Sequence, residues 1–216
     1  MRAVKDMIMR SRILTKAVRK IWASLWLALS ALILSQAALA AETEPVDTGK
    51  ALARLVSSHD KVMPGESFYI ALETELDKHW HTYWLNPGDS GEPVQIRWNL
   101  PETLSAGEIV WPLPMPIATG PIINYGFEGT PVFPIPFTLS KDAVIGERIN
   151  ISANVYYLVC YDVCIPEQAD LSLSLTVGET QEDTLSKAVI EAALSDAPAA
   201  RSAKGGIVQT LSLIHI

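Results

Sequence analysis

The sequence predicts an all-β chain, an antiparallel immunoglobulin-like β-sandwich followed by a short C-terminal helix and linker. Short stretches alternate apolar and polar residues with a period of two, turn signals recur roughly every ten residues, and no helical periodicity precedes residue 180.

The first forty residues form an export signal rather than part of the fold. Seven Lys and Arg residues lead into an apolar run from Ile21 to Leu34, and Ala38 and Ala40 suit a signal peptidase, with cleavage expected after Ala40. An uncleaved anchor is the alternative, but the run is short of the roughly eighteen residues of a membrane span. Export implies the periplasm or an equivalent oxidising space, where disulfides persist. The rest of the chain keeps 10 basic against 23 acidic residues, a formal charge near −13, which excludes nucleic-acid binding.

Residues 41–50 are small, polar or acidic and suit a flexible leader, and the domain is expected over 51–178. Ala51 to Val56 reads as an edge strand. After the turn at Met63-Pro64-Gly65, Phe68, Ile70, Leu72, Thr74 and Leu76 mark a half-buried strand. An aromatic strand follows from His79 to Leu85, then a turn at Pro87-Gly88, then a strand carrying Val94, Ile96 and Trp98. On one strand, His79 and His81 would share a face and could hold copper, yet no third ligand lies nearby. They stand as weak metal candidates, and no cofactor is implied.

Leu100 to Phe137 holds eight prolines, which cannot donate to a sheet ladder, so edge strands and loops are expected there. Within it, residues 124–129 (NYGFEG) form an aromatic loop with glycines at 126 and 129, in which Tyr125 and Phe127 serve either as a lid or as core plugs. The strand from Ile149 runs through Tyr156 into Cys160, and alternation resumes through Leu171, Leu173, Leu175 and Val177. Both cysteines of the chain therefore sit at one hairpin turn, flanking Tyr161, Asp162 and Val163.

A three-residue loop brings such flanking residues near the roughly 5.5 Å Cα separation a disulfide needs. A structural staple is one reading. Closing so short a loop removes only about 2 kcal/mol of unfolded-state entropy, so a bridge kept for strength would span a longer loop. An accessible, exchangeable redox centre is the other reading. Zinc is disfavoured, because two sulfurs without a second Cys or His pair fall short of four ligands. Asp162 beside either sulfur would disfavour a thiolate and leave the pair waiting for a docked partner.

Gln181 to Thr184 can cap a helix reaching about Leu194, with Leu185, Ala188, Val189, Ala192 and Ala193 as its apolar stripe. The helix and an Ala/Pro/Ser/Gly-rich linker occupy 179–210. The final residues 211–216 (LSLIHI) match a translated sequencing-library adapter, so the gene is expected to continue beyond them.

Four segments together resemble the N-terminal periplasmic domain of DsbD-type thiol:disulfide interchange proteins, with the closer likeness to the ScsB branch associated with copper tolerance. They are His79 to Pro93 (HWHTYWLNPGDSGEP), Trp111 to Pro114, Tyr125 to Glu128, and Cys160 to Glu167. The resemblance implies a Cys160/Cys164 pair that accepts electrons from a membrane-embedded domain and passes them to periplasmic thioredoxin-fold partners. It also implies downstream transmembrane and thioredoxin-like domains, with Cys164 forming the mixed disulfide and Cys160 resolving it; Tyr161 and Asp162, lying between the cysteines, are expected to tune access and proton traffic. Two departures stand out: the family spaces its cysteines more widely, and its cap-loop aromatic aligns with Asn124, which leaves Tyr125 or Phe127 to act as cap. The rival from another class is a non-enzymatic copper-handling domain with an inert disulfide.

Overall fold

The computed structural model describes residues 43–198. The signal expected over 1–40, the linker beyond 198 and the residues 211–216 lie outside the described residues. The first half of the chain forms β1 (Val46–Asp47), β2 (Ala51–Ser57), β3 (His59–Val62), β4 (Ser67–Leu76), β5 (His81–Gly88), β6 (Gln95–Asn99) and β7 (Leu104–Ala106). Then come β8 (Met115–Thr119), β9 (Ile122–Glu128), β10 (Val132–Leu139), β11 (Arg148–Cys160), β12 (Cys164–Val177), β13 (Gln181–Glu182) and a single helix among the described residues, α1 (Thr184–Ser195).

Among the described residues the strands make two sheets. One has the order β1-β2-β4-β10-β7; the other runs β13-β3-β12-β11-β5-β9-β8, with β6 also paired to β11. Pairing is antiparallel except between β12 and β3. The core lies between the sheets: Leu55, Ile70, Leu72 and Phe133 from the first meet Ile151, Val155 and Leu173 from the second, each at most 3% exposed. This is the sandwich the alternation predicts.

The dominant element is the β11–β12 hairpin, whose thirteen cross-strand pairs run unbroken from Arg148↔Thr176 to Cys160↔Cys164. Along β11 the odd-numbered residues from Ile149 to Val159 are buried against the core. A one-residue slip would turn all of them outward, so register is firmly set. The hairpin therefore holds the cysteine pair at its tip.

Three expectations need correction. Residues 43–50 do not form a free leader: Val46 and Asp47 pair with β2, and Thr43 N donates to Leu55 O at 2.9 Å. The proline-rich region contributes β10, which lies between β4 and β7 rather than at an edge. Pro134 and Pro136 are tolerated because their carbonyls accept from Val110 N and Gly107 N, both at 2.7 Å, on a side where β10 needs no donor.

The helix begins as expected, with Asp183 accepting from Leu185 N and Ser186 N, but its buried face differs. Ile190 is 1% exposed against Val56 and Ala71, Ser186 is also buried, and Leu185 is 81% exposed. α1 lies on the outer face of β2, β4 and β10, where a narrow Ser186/Ile190/Leu194 stripe suffices.

Candidate functional site

Cys160 and Cys164 form a disulfide with a Cα separation of 4.1 Å. The loop Tyr161-Asp162-Val163 closes the hairpin, and Tyr161 N donates to Val163 O at 3.1 Å. Even-numbered β11 residues point away from the core, so Cys160 should be accessible on the outer face. It is instead 2% exposed, whereas Cys164 is open to solvent.

Neighbouring elements cause this difference. On one side His81 of β5 is the direct Cα partner of Cys160. After β5 the chain folds back over the sheet's outer face. Ser90 donates to the buried Asn124 Oδ1 from its N at 3.0 Å and its Oγ at 3.2 Å, and Asp89 Oδ2 accepts from Ile123 N at 2.8 Å. Gly91 passes so near Tyr83 that a Cβ there would fall 2.3 Å from the ring. The result is a small cavity of about 110 Å³ lined by the disulfide, the hairpin loop, His81, Tyr83, Ser90 and Asn124.

Tyr83 is 1% exposed, and its hydroxyl lies 3.6 Å from Cys164 Sγ. Burial pushes its phenol above the usual range, against an opposing Ser90 contact, so it remains an O–H donor. His81 packs edge-on to Tyr83 with centroids 5.3 Å apart. Burial lowers its proton affinity, partly opposed by Glu128, and its Nε2 has no hydrogen-bond partner.

The hairpin tip is braced from outside. Tyr161 stacks on His79 at 6.0 Å and lies 6.3 Å from Trp80, which has Lys50 Nζ 5.4 Å from its ring centroid. Deeper in the same hairpin, the buried Glu167 accepts from Lys50 N at 2.7 Å and makes a short contact with Thr48 Oγ1, which also meets Tyr157 Oη at 2.8 Å. This network ties the segment before β2 to the base of the hairpin tip.

The structure thus brings Tyr161 and Asp162 to the cavity rim with the cysteines. It does not bring Tyr125 or Phe127 there. Phe127 is a core residue, edge-on to Phe133 at 5.3 Å, and Tyr125 is exposed beside Gly88. Their segment is strand β9, not a lid. Gly126 is small because a Cβ there would meet Thr82 O at 2.1 Å, so its role is close strand approach.

His79 and His81 do not share a strand face: His79 adopts φ 72° in the turn before β5 and is exposed, while His81 is buried. Among the described residues no group of three or more His, Cys, Asp or Glu side chains is arranged to hold a metal. Sequence reasoning missed Tyr83 and Ser90 as site residues. Tyr83 carried a usable signal, since it lies two residues from His81 on the same strand face.

The family described as the N-terminal domain of the thiol:disulfide interchange protein DsbD matches residues 53–176. Among solved structures, the N-terminal periplasmic domain of ScsB from Proteus mirabilis has a similar fold, with a TM-score of 0.55 at 24% identity. The match covers 74% of this chain and 60% of that one, so this chain spans well under the full length of that relative. No curated protein matches significantly.

Proposed function

Because this chain belongs to the family of DsbD N-terminal domains, we propose that it carries out thiol:disulfide interchange in the periplasm through Cys160 and Cys164. One observation carries the reading: a bridge at a hairpin tip with one sulfur buried and the other exposed beside a phenol donor. Electrons come from a membrane-embedded reductase domain and leave to thioredoxin-fold partners. Among the described residues no helix is long and apolar enough to cross a membrane.

In the reducing direction, a donor thiolate attacks the exposed Cys164 Sγ. The Cys160–Cys164 bond breaks, Cys160 departs as a thiolate, and a mixed disulfide forms on Cys164. A second donor thiol then releases Cys164. Transfer onward reverses the sequence: Cys164 attacks the partner disulfide and Cys160 resolves the product. Tyr83 donates to Cys164 Sγ and favours its thiolate. Asp162 at the rim opposes spontaneous attack, and Tyr161 holds the loop in place.

The test is covalent trapping with a purified periplasmic thioredoxin-fold protein. Cys160→Ala is expected to accumulate a mixed disulfide through Cys164, and Cys164→Ala to form none. Glutathione titration of the wild type should give a potential clearly more oxidising than about −300 mV. A bridge that glutathione fails to open, together with no trapped complex, would sink the reading.

A further inference from the structure

We propose that His81 accepts the Cys160 proton as Cys160 resolves the mixed disulfide, an inference that rests on the interchange reading above. His81 is 4% exposed and its Nε2 is enclosed without a partner. Buried ring nitrogens are normally satisfied, so this one needs a reason. Its cross-strand neighbour supplies it. Cys160 is the Cα partner of His81, and both line the same cavity.

In the bridged state the Cys160 sulfur has no proton to offer. Once the bridge opens, that sulfur becomes an S–H donor in a place solvent hardly reaches, in the cavity that His81 also lines, and the His81 tautomer protonated at Nδ1 offers Nε2 as its acceptor. The unsatisfied Nε2 of the oxidised form is the acceptor that the reduced form uses.

Other groups around the cavity are worse placed. Tyr83, on the same strand, already points its hydroxyl at Cys164. Glu128, on the paired strand β9, and Asp162 and Tyr161, from the hairpin loop, are exposed. Burial keeps His81 neutral and therefore able to accept, with Glu128 opposing that shift.

The step balances as follows. With Cys164 joined to a partner sulfur, Cys160 S–H transfers its proton to His81 Nε2. The Cys160 electron pair makes the Cys160–Cys164 bond, the Cys164–partner bond breaks, and the partner sulfur leaves as a thiolate with that bond's electron pair. Over the attack by Cys164 and this resolution together, the partner disulfide is reduced by two electrons and this domain is oxidised by two. The proton on His81 then passes to the departing thiolate through the open cavity mouth.

The experiment mixes reduced protein with an aromatic disulfide that releases a coloured thiolate. Attack by Cys164 releases the first equivalent, and closure by Cys160 releases the second at a rate independent of reagent concentration. His81→Phe, which keeps a ring against Tyr83, is expected to slow the second release by about a hundredfold while the first stays within about twofold. His81→Gln restores a polar group but not a base, so its second release should also be slow; it carries the test should the Phe variant not fold. A second release unchanged in a folded variant overturns the proposal, as does equal slowing of both phases, which would mark a structural role. A wild type with no first release would instead sink the interchange reading, so the two failures are distinguishable.

Discussion

Cys160 and Cys164 are direct cross-strand partners closing a ladder of thirteen pairs, yet Cys160 is 2% exposed and Cys164 is open. The backbone treats them alike; what covers Cys160 is the neighbouring strand β5 and the loop folded over it. A buried thiol ionises with difficulty and meets reagents rarely. In the reduced protein, iodoacetamide should therefore label Cys164 at least about tenfold faster than Cys160, as read by mass spectrometry of the separated peptides. Equal rates would mean that the hairpin tip opens freely.

Tyr83 should control how reactive the exposed sulfur is. Tyr83→Phe removes the hydroxyl 3.6 Å from Cys164 Sγ but preserves the ring in its site. One hydrogen bond to the thiolate is worth about 1 kcal/mol, which raises the Cys164 thiol pKa and cuts alkylation near neutral pH about fivefold. The denaturation midpoint should move little. Gly91→Ala reaches the same group from behind: φ is +95° there, and the new methyl would fall 2.3 Å from Tyr83 Cε1. It should lower both reactivity and stability, the latter by about 1–3 kcal/mol.

What was legible from sequence follows the physics of each signal. The β11–β12 hairpin was legible because Ile149 to Val155 and Leu171 to Val177 alternate apolar with polar residues, and a period of two has one meaning when one face is buried. The cysteine pair was legible from spacing alone. The pairing of His79 with His81 on one face was not, because it assumed a continuous strand and His79 turns out at φ 72°. The lid drawn from Tyr125 and Phe127 failed for a related reason. Glycine marks both hinges and close backbone contacts, and only the approach of Thr82 O to Gly126 decides between them. Helix α1 was placed correctly while its buried face was not, because a helix packed on the outside of a sheet hides a narrow stripe and leaves Leu185 in water.

Glu167 is a buried carboxyl that nothing in the exchange chemistry uses, and its value is structural. Both its oxygens are engaged, by Lys50 N and Thr48 Oγ1, at the point where the chain enters β2. Glu167→Ala leaves Lys50 N without its acceptor, while Thr48 Oγ1 keeps Ala51 O at 3.0 Å and Tyr157 Oη at 2.8 Å, at a cost of about 2 kcal/mol. Urea unfolding should show this as a lower midpoint. Because the network abuts the hairpin rather than the sulfurs, the alkylation ratio of the two cysteines should survive in the fraction that stays folded.

Stability against pH should fall at both ends, for groups whose burial disfavours charge. Tyr157 is fully buried and its pKa is pushed up from 10.0 to about 12 by burial, an effect the Thr48 hydrogen bond lowers and nearby Glu167 adds to. Raised folded pKa means the contribution is complete below pH 10 and is lost as pH rises from there through about 12. The amount is on the order of 2 kcal/mol. His81 shifts the other way: burial lowers its pKa below 6.5, so its contribution is present above that value and is lost as pH falls through the folded pKa. Unfolding free energies measured across pH for wild type, Tyr157→Phe and His81→Phe check both signs. Tyr157→Phe should flatten the alkaline limb alone and His81→Phe the acid limb alone. The reverse pattern would mean that burial is not what sets these two groups.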